Sequence, residues 1–331
     1  MSSTQTILPR WKGFNLLEMF TLRNGGAFHE NDFRWISDWG FDFVRLPMSY
    51  RWWTIPDTVT AFKEEALEQI DTAIEYGKKY GIHVSINFHR APGYSVNPDM
   101  QEPFDLWKDA QALDAFCTHW TMFAKRYRGI ASERLSFDLV NEPPAPSATG
   151  MTRADHERVV RAAVAAIHHV DAERRIIADG LSWGNDPIPE VADLPLAQSC
   201  RAYMPMGISH YKASWVGGEN WPLPTWPLQE HDSLCDRGTL EAHYQQWAEL
   251  ARKGVGVHCG EGGAFRYTPH EVVLSWFADV LDILKAHNIG FSLWNFRGTF
   301  GILDSEREDV AYEEWHGHKL DRALLELLRK S

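Results

Sequence analysis

At 331 residues, 44% of them hydrophobic, the chain can bury a large core, as one big α/β domain or two smaller ones. Its net charge of −12 and pI near 5.7 argue against nucleic acid or an anionic membrane as a partner. No stretch approaches the length of a membrane span, and Cys117, Cys200, Cys235 and Cys259 show neither a CxxC pair nor zinc-like spacing to histidine, so mostly buried thiols and no cofactor are expected.

Met1 to Arg10 lacks a charged start followed by an apolar run, which reads as no secretory signal and a cytoplasmic location. Trp11 to Leu17 reads as a first strand and Glu30 to Trp39 as a short helix closed by Gly40. Phe41 to Pro47 is a second strand, halted by proline just after its polar residue, Arg45. A helix follows, with Leu67, Ile70, Ile74 and Gly77 on one stripe. The third strand, Ile82 to His89, sets Ile82, Val84, Ile86 and Phe88 on one face and Ser85, Asn87 and His89 on the other. Leu113, Phe116, Trp120, Phe123 and Tyr127 then recur at helical spacing. The fourth strand starts at Leu135 and ends in Asn141-Glu142-Pro143, whose proline predicts an extended Glu142 aimed beyond the sheet.

Asp155 to Val170 is helical, Arg175 to Gly180 a fifth strand with Trp183 in the loop after it, and Ala202 to Tyr211 a sixth strand. A loop rich in Trp and Pro runs from Lys212 to Arg237, far longer than ordinary connections, which predicts a functional wall. A helix through Leu240, Tyr244, Trp247 and Ala251 leads to the seventh strand, Val255 to Glu261, and a further helix (Val272 to Leu284) to the eighth, Ile289 to Phe296. The last helix carries Leu320, Leu324, Leu327 and Leu328. Eight strand–helix alternations, with no Gly-rich phosphate turn to suggest an open doubly wound sheet, predict one (β/α)8 TIM barrel spanning the chain.

In such a barrel the chemistry sits where strands end. Arg45, His89, Asn141, Glu142, His210, Tyr211, Glu261 and Trp294 all fall there. Each alone could be a satisfied buried polar group. Two glutamates, an arginine and two histidines on one rim cost more in desolvation than apolar filling would, so stability does not explain them. Two facing carboxyls suit glycoside hydrolysis, one protonating the leaving oxygen while the other attacks or activates water. A metal site is disfavoured because Arg45 would oppose a cation. The aromatic content (15 Trp, 10 Tyr, 17 Phe), interleaved with polar residues, fits a sugar ligand. Trp183 offers one platform, and Trp221 and Trp226 in the long loop offer two more.

Together Gly13-Phe-Asn-Leu16, Arg45-Leu-Pro, His89 with Ala91-Pro-Gly93, Asn141-Glu-Pro, Glu261-Gly and Trp294-Asn resemble glycoside hydrolase family 5, the cellulase-type retaining β-glycosidases. The resemblance implies that Glu142 is the acid/base, Glu261 the nucleophile, Asn141 a partner of the 2-hydroxyl and Arg45 a neighbour that keeps the nucleophile ionised. It also implies His89 lining the reacting-sugar subsite, Trp294 as its floor, and a cis peptide between Trp294 and Asn295. One departure stands out. The family shows His-x-Tyr after the sixth strand, whereas here Ile208-Ser-His210-Tyr211 follows it, so either His210 or Tyr211 fills that role. Asp138 reads as part of a buried polar network. The resemblance implies a β-linked oligosaccharide or polysaccharide substrate and leaves the sugar undecided: endo-β-1,4-glucanase is the first expectation, with β-mannanase or β-mannosidase and exo-β-glucanase or β-glucosidase as alternatives, and a non-catalytic carbohydrate-binding barrel is the reading from another class.

Overall fold

The β-prone runs become eight parallel strands: β1 (Lys12–Asn15), β2 (Phe43–Ser49), β3 (His83–Ala91), β4 (Leu135–Asp138), β5 (Arg175–Asp179), β6 (Ala197–Ala202), β7 (Val257–Gly262) and β8 (Gly290–Leu293). Each pairs with the next, and β8 pairs back onto β1, so the ring closes without an edge. This computed structural model describes residues 7–23, 25–56, 58–97, 102–148, 150–230 and 233–331. Residues 1–6, on which the reading of the N-terminus rests in part, lie outside the described residues, as do 231 and 232 of the long loop.

The outer layer is built from α1 (Glu30–Asp38), α2 (Glu64–Tyr80), α3 (Ala110–Arg126), α4 (Arg153–Val170), α5 (Arg237–Arg252), α6 (His270–Ala286) and α7 (Arg322–Lys330). Each presents its apolar stripe to the strands. On α3, for example, Ala112, Phe116, Trp120 and Phe123 are buried at helical spacing. The alternation is not complete, however. Between β5 and β6 the described chain makes only short turns, Leu181–Gly184 and Pro189–Val191, in place of a full helix.

Several strand boundaries differ from expectation: β4 ends at Asp138, short of Asn141-Glu142, β8 ends at Leu293, short of Phe296, and β2 and β6 differ as well. β2 continues through Pro47 to Ser49. The Arg45 carbonyl accepts from Leu16 N, so this parity of β2 faces β1, and Pro47, two residues on, lies past the end of β1, where no ladder bond is lost. The sixth strand is β6, five residues earlier than its expected start. Its inward residues above Ala197 are polar, Ser199 and Arg201, which hid its period in the sequence.

The barrel interior is layered. At the bottom Trp11, Phe43, Ile177 and Ala197 pack together, with the His83 ring stacked on Trp11 at 3.9 Å. At the top the filling is polar and charged: Asn15, Arg45, Asp138, Asp179, Ser199, Arg201 and Glu261 are all buried. Glu261 reaches this layer through an irregularity. Inward-facing His258 would put position 261 on the outer face by simple alternation, but the β6–β7 register shifts between Cys259 and Glu261. Gly260 is the extra residue of that bulge, and it turns Glu261 inward.

Candidate active site

Arg45 enters the mouth from β2 and is 1% exposed. Its Nη1 donates to Glu261 Oε1 at 2.6 Å and to Asn15 Oδ1 at 3.1 Å. Nε donates to Asp138 Oδ2 at 2.6 Å, and Nη2 to Asn141 Oδ1 at 2.9 Å. Asp138 thus belongs to a buried network. Burial, and then the charge of Asp179, push its carboxyl up to about 7 despite the bond from Arg45.

A second buried guanidinium, Arg201 on β6, lies across the mouth. Nε donates to Glu142 Oε1 at 2.9 Å, Nη1 to Asp179 Oδ1 at 3.1 Å, and Nη2 to Asn141 Oδ1 at 2.9 Å. Nη2 also bonds Asp179 Oδ2 and stands 3.4 Å from Glu261 Oε1. One side chain therefore touches both glutamates. Every carboxyl here faces a guanidinium, and among the described residues no group of three or more His, Cys, Asp or Glu side chains is arranged to hold a metal ion.

Glu142 is not extended, as its following proline had suggested. Its φ is +49°, in the left-handed region. The local preference is overridden from both sides: its N–H donates to Asp179 Oδ2 at 2.9 Å, and its carbonyl accepts from the Tyr94 hydroxyl at 2.6 Å. Such a backbone costs about 1–3 kcal/mol and persists where tertiary contacts over-determine it. The side chain is 14% exposed. Burial first, and then the charge of Glu261, raise the Glu142 carboxyl to about 8, with Arg201 opposing the rise.

Asn141 is fully buried, and its Oδ1 accepts from both arginines, which fixes the amide orientation. Its Nδ2 is left without a protein partner. His89 is held neutral, because burial and the nearby arginines drive its pKa well down. Its Nε2 lies 3.2 Å from Asn97 Oδ1, its Nδ1 has no protein partner, and its ring stacks on Trp294 at 5.4 Å. Trp294 is half-buried, and its peptide bond to Asn295 is cis, as the sequence had suggested.

The expected contact of His210 or Tyr211 with Glu261 is not made. The Tyr203 hydroxyl donates to Glu261 Oε2 at 3.1 Å instead. His210 sits behind that tyrosine, ring centroids 5.1 Å apart, with its Nδ1 2.9 Å from Ser209 Oγ. Tyr211 is buried, with Lys212 Nζ over its ring. Both residues follow the short helix Met206–Ser209, which carries them past the strand end.

The three loop tryptophans separate. Trp183 is 45% exposed, and its N–H donates to Pro143 O at 2.9 Å, which sets it beside the Glu142 loop. Trp221 is half-buried in the turn after Gly218–Asn220. Trp226 is not brought to the mouth. Its Nε1 donates to Asp279 Oδ2 on α6 at 2.8 Å, and it packs against the outer core. Trp215, in the same loop, is 56% exposed and lies edge-on to Phe265 at 4.8 Å.

Comparison with known proteins agrees with this geometry. The family model described as cellulase (glycosyl hydrolase family 5) matches residues 5–299. The chain belongs to glycosyl hydrolase family 5. Endoglucanase C of Acetivibrio thermocellus is 26% identical over 311 residues, covering 86% of this chain and 88% of that protein. Cellodextrinase A of Ruminococcus flavefaciens is 26% identical over 266 residues, covering 78% of this chain and 76% of that protein. A crystal structure described as a glycoside hydrolase is 40% identical, with a TM-score of 0.93 over 97% of this chain and 99% of the other. As a member of family 5, the chain is a glycoside hydrolase that acts on O-glycosyl bonds with retention.

Membership explains the departure seen in the sequence. Arg201 and Ala202 end β6 and Tyr203 follows, with the Tyr203 hydroxyl on Glu261 and Arg201 two residues before it. In place of the expected His-x-Tyr, the end of β6 reads Arg-x-Tyr. Neither residue stands out in the sequence, because the apolar pattern begins only at Ala202 and leaves Arg201 outside the expected strand.

Proposed function

We propose that this chain is an endo-β-1,4-glucanase that works by double displacement, with Glu142 as acid/base and Glu261 as nucleophile. The carrying observation is that one buried guanidinium, Arg201, contacts both carboxyls, while burial and the neighbouring Glu261 raise the Glu142 carboxyl. A raised Glu142 keeps its proton for the glycosidic oxygen, and Arg45 and Tyr203 hold Glu261 from either side. A Glu261 oxygen bonds the anomeric carbon as the C1–O bond breaks, and the Glu142 proton goes to the departing sugar. Water then loses a proton to Glu142 and attacks C1, which frees the Glu261 carboxylate. The partnerless Asn141 Nδ2 and His89 Nδ1 offer polar contacts to hydroxyls of the reacting sugar, and Trp294 offers it a flat face. The names of the endoglucanase and cellodextrinase relatives support a β-glucan.

The test is product analysis on gluco-, manno- and xylo-oligosaccharides, with the first-formed anomer followed by NMR. Cello-oligosaccharides cleaved internally, with β product appearing first, are expected. An α-anomer first would sink the double displacement, and preference for manno-oligosaccharides would sink the glucanase assignment.

A further inference from the structure

Retaining hydrolysis moves a negative charge between two side chains. When the Glu261 oxygen bonds C1, Glu261 becomes a neutral ester. The Glu142 proton leaves with the sugar, so Glu142 becomes the carboxylate. Deglycosylation reverses both changes. We propose that Arg201 is a positioning residue that stays in contact with this charge on both sides of the exchange, through Nε on Glu142 at 2.9 Å and Nη2 near Glu261 at 3.4 Å. The inference rests on the acid/base and nucleophile assignments above.

Arginine at this place differs in kind from a histidine. Buried imidazoles in this barrel, His89 and His258, are driven toward the neutral form. A histidine between β5 and β7 would feel the same burial and carry no fixed charge. Arg201 keeps its charge at every working pH and spans both carboxyls with one planar group. Asp179 anchors the far side of the fork, so Arg201 cannot swing toward either glutamate alone.

The other groups facing Glu142 are fixed. Asp179 on β5 accepts from its N–H, Glu261 on β7 adds negative charge, and Tyr94, beyond β3, bonds its carbonyl. Tyr203 and, through Asn141, Arg45 complete the surroundings. Among the described residues, Arg201 is the cation in direct contact with Glu142.

The test uses Arg201→His and Arg201→Lys, with folding followed by circular dichroism and thermal melting. In Arg201→His the alkaline limb of kcat/KM on cellotetraose should move up by about one pH unit, as Glu142 loses its nearest cation. On dinitrophenyl β-cellobioside, where the leaving group needs no acid, kcat reports deglycosylation, and it should fall at least about tenfold while kcat/KM falls less. In Arg201→Lys the limb should stay put, but one ammonium cannot reach both carboxyls, so kcat on the aryl substrate should still drop. An unmoved limb in Arg201→His, with kcat and kcat/KM falling together, would overturn the proposal. If Arg201→His does not fold, a wild-type kcat in Arg201→Lys overturns it instead. Glu142→Ala rescued by azide to a β-glycosyl azide, with Glu261→Ala inert, separates a failure of this inference from a failure of the underlying assignments.

Discussion

Tyr203 donates its phenolic proton to Oε2 of Glu261 at 3.1 Å, from just past the end of β6. The opposite carboxyl oxygen, Oε1, is held by Arg45 at 2.6 Å. Glu261 is thereby fixed from two strands at once, and its orientation does not depend on its own rotamer alone. Burial and the charge of Glu261 drive the Tyr203 hydroxyl well above its ordinary pKa, so it remains a donor across the working range.

Removing that one donor should be felt in rate rather than in fold. A hydrogen bond to a charged group contributes about 1.5–3 kcal/mol, so Tyr203→Phe should lower kcat about ten- to a hundredfold with little change in Tm. Tyr211→Phe should leave kcat near wild type. Steady-state kinetics on the two variants decide between the tyrosines, and the reverse pattern would reinstate Tyr211.

The raised Glu142 predicts the pH dependence. In its proposed role as the acid, Glu142 works only while protonated, so activity on cello-oligosaccharides should hold through neutrality and fall as pH rises through about 8. The limb should flatten for an aryl glycoside whose leaving group needs no proton. A profile of kcat/KM against pH on the two substrates checks this, and a limb of equal steepness on both would assign it to another group.

Trp294 and Trp226 should fail in opposite ways. Trp294 is half-buried, stacked on His89 and in line with the mouth, so Trp294→Ala should cut kcat/KM far more than it lowers Tm. Trp226 is tied to Asp279 on the outer helix layer, so Trp226→Ala should lower Tm and leave kcat/KM close to wild type. Its stability cost should fall at or below the low end of the about 3–5 kcal/mol typical of a fully buried tryptophan. Paired melting and kinetic measurements settle both halves.

A side chain at Gly260 would crowd the polar side chains around it. A Cβ there would stand 2.6 Å from Ser199 Oγ and 3.0 Å from Arg201 Nη1. Gly260→Ala should therefore push Arg201 off Glu142, lower stability by about 1–3 kcal/mol and lower kcat as well. Chemical denaturation alongside kinetics tests this, and full activity at normal stability would mean that the bulge absorbs the methyl group freely.

The barrel was legible because alternation and helical stripes survive in the apolar residues, as in Val84, Ile86 and Phe88 on β3 or Phe116, Trp120 and Phe123 on α3. The paired glutamates were legible because proline and glycine punctuate the chain immediately after them. Three things were not. β6 was misplaced because charge points inward on it, where apolar periodicity carries no signal. The left-handed backbone of Glu142 comes from Asp179 and Tyr94, both distant in sequence. Trp226 reads like Trp183 as a string of letters, and only the position of α6 tells them apart.

The +49° φ of Glu142 sets the two demands on this position against each other. Asparagine, which tolerates the left-handed region, or glycine, which has no preference against it, would relax the backbone and remove a buried ionisable group. Evolution in the laboratory toward heat resistance alone would thus drift toward an inert barrel at residue 142, and Glu142→Asn should melt above the wild type while losing turnover. A glutamate at residue 142 thus sets the chemistry of the mouth against the stability of its own backbone.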